Sequence, residues 1–195
     1  MRITGGRFRS RALTAPRGTA TRPTSDRVRE ALFSMLAAAG LLGDDEEEHG
    51  PRVLDLYAGS GALAFEALSR GAASAICVES ARDAVAAIRQ NARALEVESR
   101  VTVFDTKVER ALSRIQGPFG VVFLDPPYAD VKTAAFAAVL ASASALVMSE
   151  GALVLEHAST DEPPQIAGVE LDRSRRYGDT TLTLYRAARP DDKTT

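Results

Sequence analysis

Tryptophan is absent from this 195-residue sequence, cysteine occurs once and histidine twice. A single cysteine, Cys77, excludes an intrachain disulfide and leaves no partners for a cysteine-rich zinc site. A reducing cytoplasm is therefore the expected location, and no metal is expected. Long apolar runs are also missing. The longest stretch without charged or strongly polar groups at its ends, residues 134–148, is interrupted by Ser142 and Ser144 and falls short of the roughly 18 residues of a membrane span. Residues 1–6 (MRITGG) lack the apolar core of a secretory signal, so no membrane role is expected. Lysine is nearly absent: Lys107, Lys132 and Lys193 account for three of the 24 basic residues, and the other 21 are arginines.

What is present describes one ordinary domain, with 45% hydrophobic and 26% charged residues. The net charge of −2 conceals an uneven distribution. Residues 1–29 hold eight arginines against Asp26 alone, a balance of +7, which leaves −9 for the remainder. A basic arm on an acidic body suits a polyanionic partner.

Residues 1–22, rich in Gly, Arg, Thr and Pro, read as a basic hairpin or irregular arm. Thr24 or Ser25 can cap a following helix whose apolar face is Val28, Ala31, Leu32, Met35, Leu36 and Ala39, ended by Gly40 and Gly43. An acidic run, residues 44–48, reads as a solvated linker. From Val53 onward strands and helices alternate, the pattern of a parallel sheet with right-handed crossovers. Strands are expected over 52–57, 75–79, 101–104, 120–124 and 152–156. Helices are expected over 62–70, after a capping box at Ser80-Ala81-Arg82-Asp83, around 108–115 and beyond Asp130. Residues 169–176 and 180–186 read as an antiparallel hairpin. The expected organisation is an arm and helix (1–40), a linker (41–50), an α/β domain (51–189) and a disordered tail (190–195).

Three clusters carry chemistry. Where the first strand turns into a helix, Asp55-Leu56-Tyr57-Ala58-Gly59-Ser60-Gly61 lets the backbone approach a ligand closely. Gly59, Gly61 and Ala64 also satisfy the dinucleotide-binding fingerprint. Asp55, four residues before Gly59, favours a ligand with an ammonium group over one with a pyrophosphate. Glu79, at the end of the second strand, can accept the hydroxyls of a ribose, and Asp105, ending the third, the amino group of an adenine. Asp125-Pro126-Pro127-Tyr128 follows four apolar residues of the fourth strand. The prolines fix a rigid, extended backbone that presents the Asp125 carboxylate and the Pro126 carbonyl as two acceptors in one small arc. Two acceptors can hold both hydrogens of an exocyclic aromatic amine and turn its lone pair towards a methyl donor. Tyr128 can stack on the base that carries the amine, a contact worth roughly 1–3 kcal/mol.

Residues 53–128 thus resemble the class I methyltransferase fold with the [DNS]-P-P-[YFW] motif of amino-methylating enzymes. The segments Arg2-Ile3-Thr4-Gly5-Gly6-Arg7-Phe8-Arg9-Ser10-Arg11 and Arg22-Pro23-Thr24-Ser25-Asp26-Arg27-Val28-Arg29-Glu30-Ala31-Leu32-Phe33 resemble the RsmD family, bacterial enzymes that methylate N2 of a guanine in 16S rRNA. The resemblance covers nearly the whole chain. It departs at Ser10, where the family usually has glycine, and at the acidic run. It implies a Rossmann-like α/β fold with a seven-stranded, mostly parallel sheet ending in an antiparallel hairpin, behind a short basic extension. Asp55, Tyr57, Gly59 and Gly61 are then expected around the methionine end of S-adenosylmethionine, Glu79 at its ribose and Asp105 at its adenine. Pro127 completes the rigid turn between the Asp125–Pro126 amine site and Tyr128. S-adenosylhomocysteine would be the product. Arg7, Arg9, Arg11, Arg22, Arg27 and Arg29 are expected on the RNA, in a monomer acting on a small-subunit particle. Rival readings are a DNA amino-methyltransferase, a protein-glutamine methyltransferase, and a non-catalytic RNA-binding assembly factor.

Overall fold

The computed structural model describes residues 1–16, 26–43 and 50–187. Its strands are β1 (Arg52–Leu56), β2 (Ser74–Glu79), β3 (Val101–Asp105), β4 (Phe119–Leu124), β5 (Val147–Ala158), β6 (Val169–Tyr177) and β7 (Thr180–Ala187). The helices are α1 (Asp26–Ala38), α2 (Ala62–Ser69), α3 (Arg82–Leu95), α4 (Val108–Leu112) and α5 (Ala134–Ser144). One seven-stranded sheet runs in the order β3-β2-β1-β4-β5-β7-β6. β1 to β5 are mutually parallel, and β7 is antiparallel to both its neighbours. The strand order reverses between β1 and β4, and such a switch opens a crevice at the carboxyl edge.

Burial explains why these residues form these elements. All six residues of β4 are buried, as a central parallel strand covered on both faces requires. Val121 and Phe123 face a cluster that takes in α1, α2 and α3, while Val122 and Leu124 face one that takes in α4 and α5. Phe33 of α1 lies 5.8 Å from Phe123, ring centre to ring centre.

Two sequence expectations need correction. β5 begins at Val147, five residues early, because its register against β4 jumps between Phe119 and Val121. The irregular residues include Glu150 at φ 64, and with Met148, Ser149 and Glu150 exposed no buried apolar alternation marks this part of the strand. The capping box at Ser80 does not form either. Ala81 is the N-cap of α3 and makes no side-chain cap bond. The first-turn role passes to Glu79, whose Oε1 accepts from the N–H groups of Ser80 at 2.7 Å and Ala81 at 2.8 Å. The caps expected at Thr24 or Ser25, the acidic run and the tail from 190 lie outside the described residues.

The N-terminal arm is a docked hairpin. Arg2 bridges Ala12 antiparallel, and Ile3, Phe8 and Leu13 are buried in the same cluster as α1 and α2. Its polar anchor is Glu66, in the middle of α2 and 0% exposed. Glu66 Oε1 accepts from the Thr4 hydroxyl (2.7 Å), the Gly5 N–H (2.9 Å) and Arg70 Nε (2.9 Å), while Oε2 accepts from the Thr4 N–H (2.9 Å) and Arg29 Nε (3.2 Å). Arg29 is 0% exposed, and also bonds Asp26 Oδ1 at 2.8 Å and the Arg2 carbonyl. Arg29 was expected on RNA, and that expectation is corrected: its guanidinium is an interior cation joining the arm, α1 and α2. Breaking such a pair from one side strands the other charge without water. Glu66→Ala should therefore cost roughly 3–5 kcal/mol in urea unfolding, and a loss under about 1 kcal/mol would mean the network is not holding the arm.

Candidate active site

The carboxyl edge of the sheet collects the residues picked out by their chemistry in strand order. Asp105 ends β3 and Glu79 ends β2, paired side by side, so their backbones stand about 4.8 Å apart. Glu79 Oε2 reaches across to accept from the Gly59 N–H at 2.9 Å, tying β2 to the loop after β1. Asp105 is exposed, with Arg89 3.9 Å from its Oδ2. In the loop, Tyr57, Gly59 and Gly61 all have positive φ, at 63°, 55° and 76°. For a tyrosine that is a strained backbone of the kind found at ligand sites. A Cβ on Gly59 would meet nothing within 4 Å, whereas one on Gly61 would stand 2.7 Å from the Phe65 ring. Gly59 therefore borders open space and Gly61 fits the turn onto α2. A nucleoside can lie along Asp105, Glu79 and Gly59 in that order.

Asp55 sits beneath this loop and does not line it. It is 1% exposed, and its Oδ2 accepts from the Ala64 N–H in the first turn of α2 at 3.1 Å. The expectation that it faces a ligand directly is thus not met in this conformation; its carboxylate supports the loop and the first turn of α2. Burial pushes its carboxyl up to about 7, with the Ala64 N–H opposing and Glu79 adding to the rise. Tyr57 packs its ring 6.3 Å from that of Phe136. Its hydroxyl is pushed up to about 12, chiefly by burial, with Glu109 and Asp130 contributing.

Asp125 continues β4 across the switch, its N–H directed at the Leu56 carbonyl at 3.4 Å. Pro126 is buried, and Pro127 and Tyr128 are exposed. Tyr128 arches over β5 to reach the start of β7, where its hydroxyl bonds Thr180 Oγ1 at 2.5 Å. The Asp125-Pro126-Pro127-Tyr128 turn and the glycine loop are brought together after adjacent strands β4 and β1. The sequence reading missed Glu156 and Thr180, which complete this edge. Glu156 is 7% exposed on β5, where it reads as one polar residue closing an apolar strand; only the pairing of β4 with β5 sets it beside Asp125.

A family model described as "Conserved hypothetical protein 95" matches residues 1–186. The chain is 36% identical over 190 residues to "Putative rRNA methyltransferase YlbH" of Bacillus subtilis, covering 95% of this chain and 98% of that one. The chain belongs to the RsmD family. With "Ribosomal RNA small subunit methyltransferase D" of Escherichia coli it shares 38% identity over 128 residues, 66% of this chain and 60% of that one. The solved structure titled "Putative methyltransferase yhhF from Escherichia coli" superposes with a TM-score of 0.78 at 31% identity, covering 97% and 98% of the two chains.

In this RsmD-family chain the arginines expected on RNA are scattered. The open end of the hairpin lies by the glycine loop: Met1 Sδ accepts from the Ser60 hydroxyl, and Asn91 bonds both Thr14 and the Ser60 carbonyl. The turn end lies at Ser69, whose carbonyl and hydroxyl oxygens accept from the N–H groups of Arg7 and Phe8. Arg7 and Arg9 therefore stand a helix length from Gly61, roughly 12 Å for eight residues. Arg11 donates to the Ala94 carbonyl at 2.5 Å. Arg27 is exposed in the first turn of α1, and Arg22 lies outside the described residues. The structure adds Arg173 and Arg175 of β6. Both are exposed, and their cross-strand partners Leu184 and Leu182 place them on the sheet face that carries Glu156 and Thr180.

Asp55 also gives a pH signature. Its folded pKa is raised, so the stability it contributes is full below about 3.8 and is lost as pH rises towards about 7. Asp55→Asn keeps an acceptor for Ala64 and cannot ionise. Its stability relative to the parent should therefore climb between pH 4 and 7, by at most about 4 kcal/mol. Thermal melts across that range test this, and a pH-independent difference would remove the assignment.

Proposed function

We propose that this protein transfers a methyl group from S-adenosylmethionine to the exocyclic N2 amine of a guanine in 16S rRNA of the small ribosomal subunit. The observation that carries the reading is the adjacency of the rigid Asp125-Pro126-Pro127-Tyr128 turn and the open Gly59 loop at the switch point of the sheet. The names of the Bacillus and Escherichia relatives support rRNA as the substrate class.

The residues fit the cofactor. The empty space over Gly59 admits a ligand against the backbone, and Glu79 and Asp105 offer carboxylates of the right order for ribose and adenine. Asp55 and Tyr57 stand under and beside the loop, where the methionine end would lie. Bound S-adenosylmethionine would supply an electrophilic methyl on a sulfonium; S-adenosylhomocysteine would remain, and the proton shed by the methylated amine would pass to Asp125 or to water. Asp125 and the Pro126 carbonyl hold the two amine hydrogens, which turns the nitrogen lone pair out of the ring plane. Pro127 keeps the turn stiff. Tyr128, exposed and braced by Thr180, offers its ring for stacking. Holding these groups in place before the base arrives is where their rate advantage comes from.

The target base must be unstacked, at a cost of a few kcal/mol, so backbone contacts have to offset it. We assign these to Arg27, Arg173 and Arg175, three exposed arginines, in place of an arm whose turn lies at the other end of α2. Asp125→Ala should slow methylation of small-subunit particles by at least roughly 10²-fold and leave S-adenosylhomocysteine affinity within a few-fold by calorimetry. Near-normal turnover would dismiss Asp125. Mapping the product should find one methyl on N2 of an unpaired 16S guanine, whereas methylated adenine in DNA would favour the DNA enzyme. Reversing charge at Arg173 and Arg175 together should flatten the log–log salt dependence of RNA binding by roughly 1.4, at about 0.7 per phosphate contact. An unchanged slope would clear β6 of contact.

A further inference from the structure

One polar group at this edge has no part in the chemistry above. Leu124 of β4 pairs with Leu155 of β5, so Asp125 and Glu156 are the next residues along these neighbouring strands. Glu156 pairs with Leu182 and Ala158 with Thr180, which puts Glu156 on the same face as Thr180. Tyr128 closes the group, its hydroxyl bonded to Thr180 and in hydrogen-bond reach of Glu156, with Asp125 close enough to act on it. Leu153, Val154 and Leu155 before it are all apolar and buried. A carboxylate kept at 7% exposure after such a run is expensive to desolvate, and a leucine would continue the strand at no such cost.

We propose that Glu156 is the specificity-determining residue that reads guanine, its carboxylate accepting the ring N1–H beside the amine held by Asp125. This rests on the reading of Asp125 as the amine site. Guanine presents N1–H and the N2 amine as adjacent donors. Adenine and cytosine present a ring nitrogen lone pair next to their amines. An ionised carboxylate is an acceptor only, so it attracts the first pattern and repels the second. Asp125 and Pro126 can hold any exocyclic amine, and Glu156 supplies the discrimination that they lack. Tyr128, linked to Glu156 and Thr180 through its hydroxyl, keeps the stacking ring in register with that edge.

The test separates base reading from a structural role. The nucleotide mapped with the parent enzyme is replaced, in particles reconstituted from ligated rRNA, by 2,6-diaminopurine. This base keeps the C2 amine but has a lone pair at N1. The parent should methylate guanine at least roughly 100-fold faster than diaminopurine, and in the presence of S-adenosylhomocysteine should bind the guanine particle more tightly. Glu156→Gln, whose amide can donate or accept, should bring the two bases within about tenfold, chiefly by gaining activity on diaminopurine. Glu156→Asp keeps an acceptor and should keep the guanine preference at a lower rate, which guards against misreading a folding defect. A parent-like guanine preference in Glu156→Gln, with cofactor affinity intact, would overturn the role of Glu156 and leave the amine site standing. A parent enzyme that puts no methyl on guanine N2 would overturn both.

Discussion

A carboxylate with no exposed surface cannot turn to water and must find its donors within the protein, and Glu66 finds five. Two come from side-chain guanidinium groups, Arg29 and Arg70, and three from Thr4 and Gly5 of the arm. Each donor lies on a different piece of chain from the helix that carries Glu66, except Arg70, one turn on. Satisfying one buried charge therefore fixes the position of the arm, of α1 and of α2 together. The apolar residues Ile3, Phe8, Leu32 and Phe33 could pack in more than one arrangement, since hydrophobic contact has no direction. The charge-assisted bonds at Glu66 select one arrangement.

The carboxyl edge of the sheet depends on the same helix. The amino end of α2 is held by Asp55 through Ala64 and entered through Gly61 in a left-handed conformation. Its carboxyl end receives the arm's turn at Ser69. The loop that borders the open space at Gly59 is consequently braced from three sides: by β1 below, by Glu79 from β2, and by Asn91 and Met1 from α3 and the arm. A loop strained at Tyr57 holds its shape only where its surroundings over-determine it, and this one is so surrounded. The arm's arginines look in sequence like an RNA clamp, yet the arm's apolar residues and Glu66 contacts make it part of the scaffold.

The sheet, its alternation of strands and helices and its final hairpin were all legible as periodicity, because parallel strands buried on both faces must be apolar throughout. The glycine loop and the Asp125-Pro126-Pro127-Tyr128 turn were legible because glycine and proline restrict the backbone wherever they stand. Two kinds of feature were not. The early start of β5 exposes Met148, Ser149 and Glu150 and carries a register shift, so no buried apolar pattern marks it. Arg29 reads as one more basic residue in an arginine-rich segment, and nothing local tells a buried guanidinium from a solvated one.

Taken alone, the order of residues determined the chemistry on offer: which carboxylates end strands, where the backbone can approach a ligand, and where two acceptors are rigidly set. These are local properties of a few consecutive residues and do not depend on what packs against them. Tertiary structure alone decided which of those groups meet and which are exposed. Asp55 went under the loop, Arg29 went into the core, and Arg7 and Arg9 moved to the far end of α2. Glu156 and Thr180, 31 and 55 positions beyond Asp125 in the chain, joined Tyr128 only because β5 lies next to β4 and β7 next to β5 in the sheet. The reason is physical: burial and cross-strand adjacency are set by contacts distant in sequence, and no local pattern carries that information.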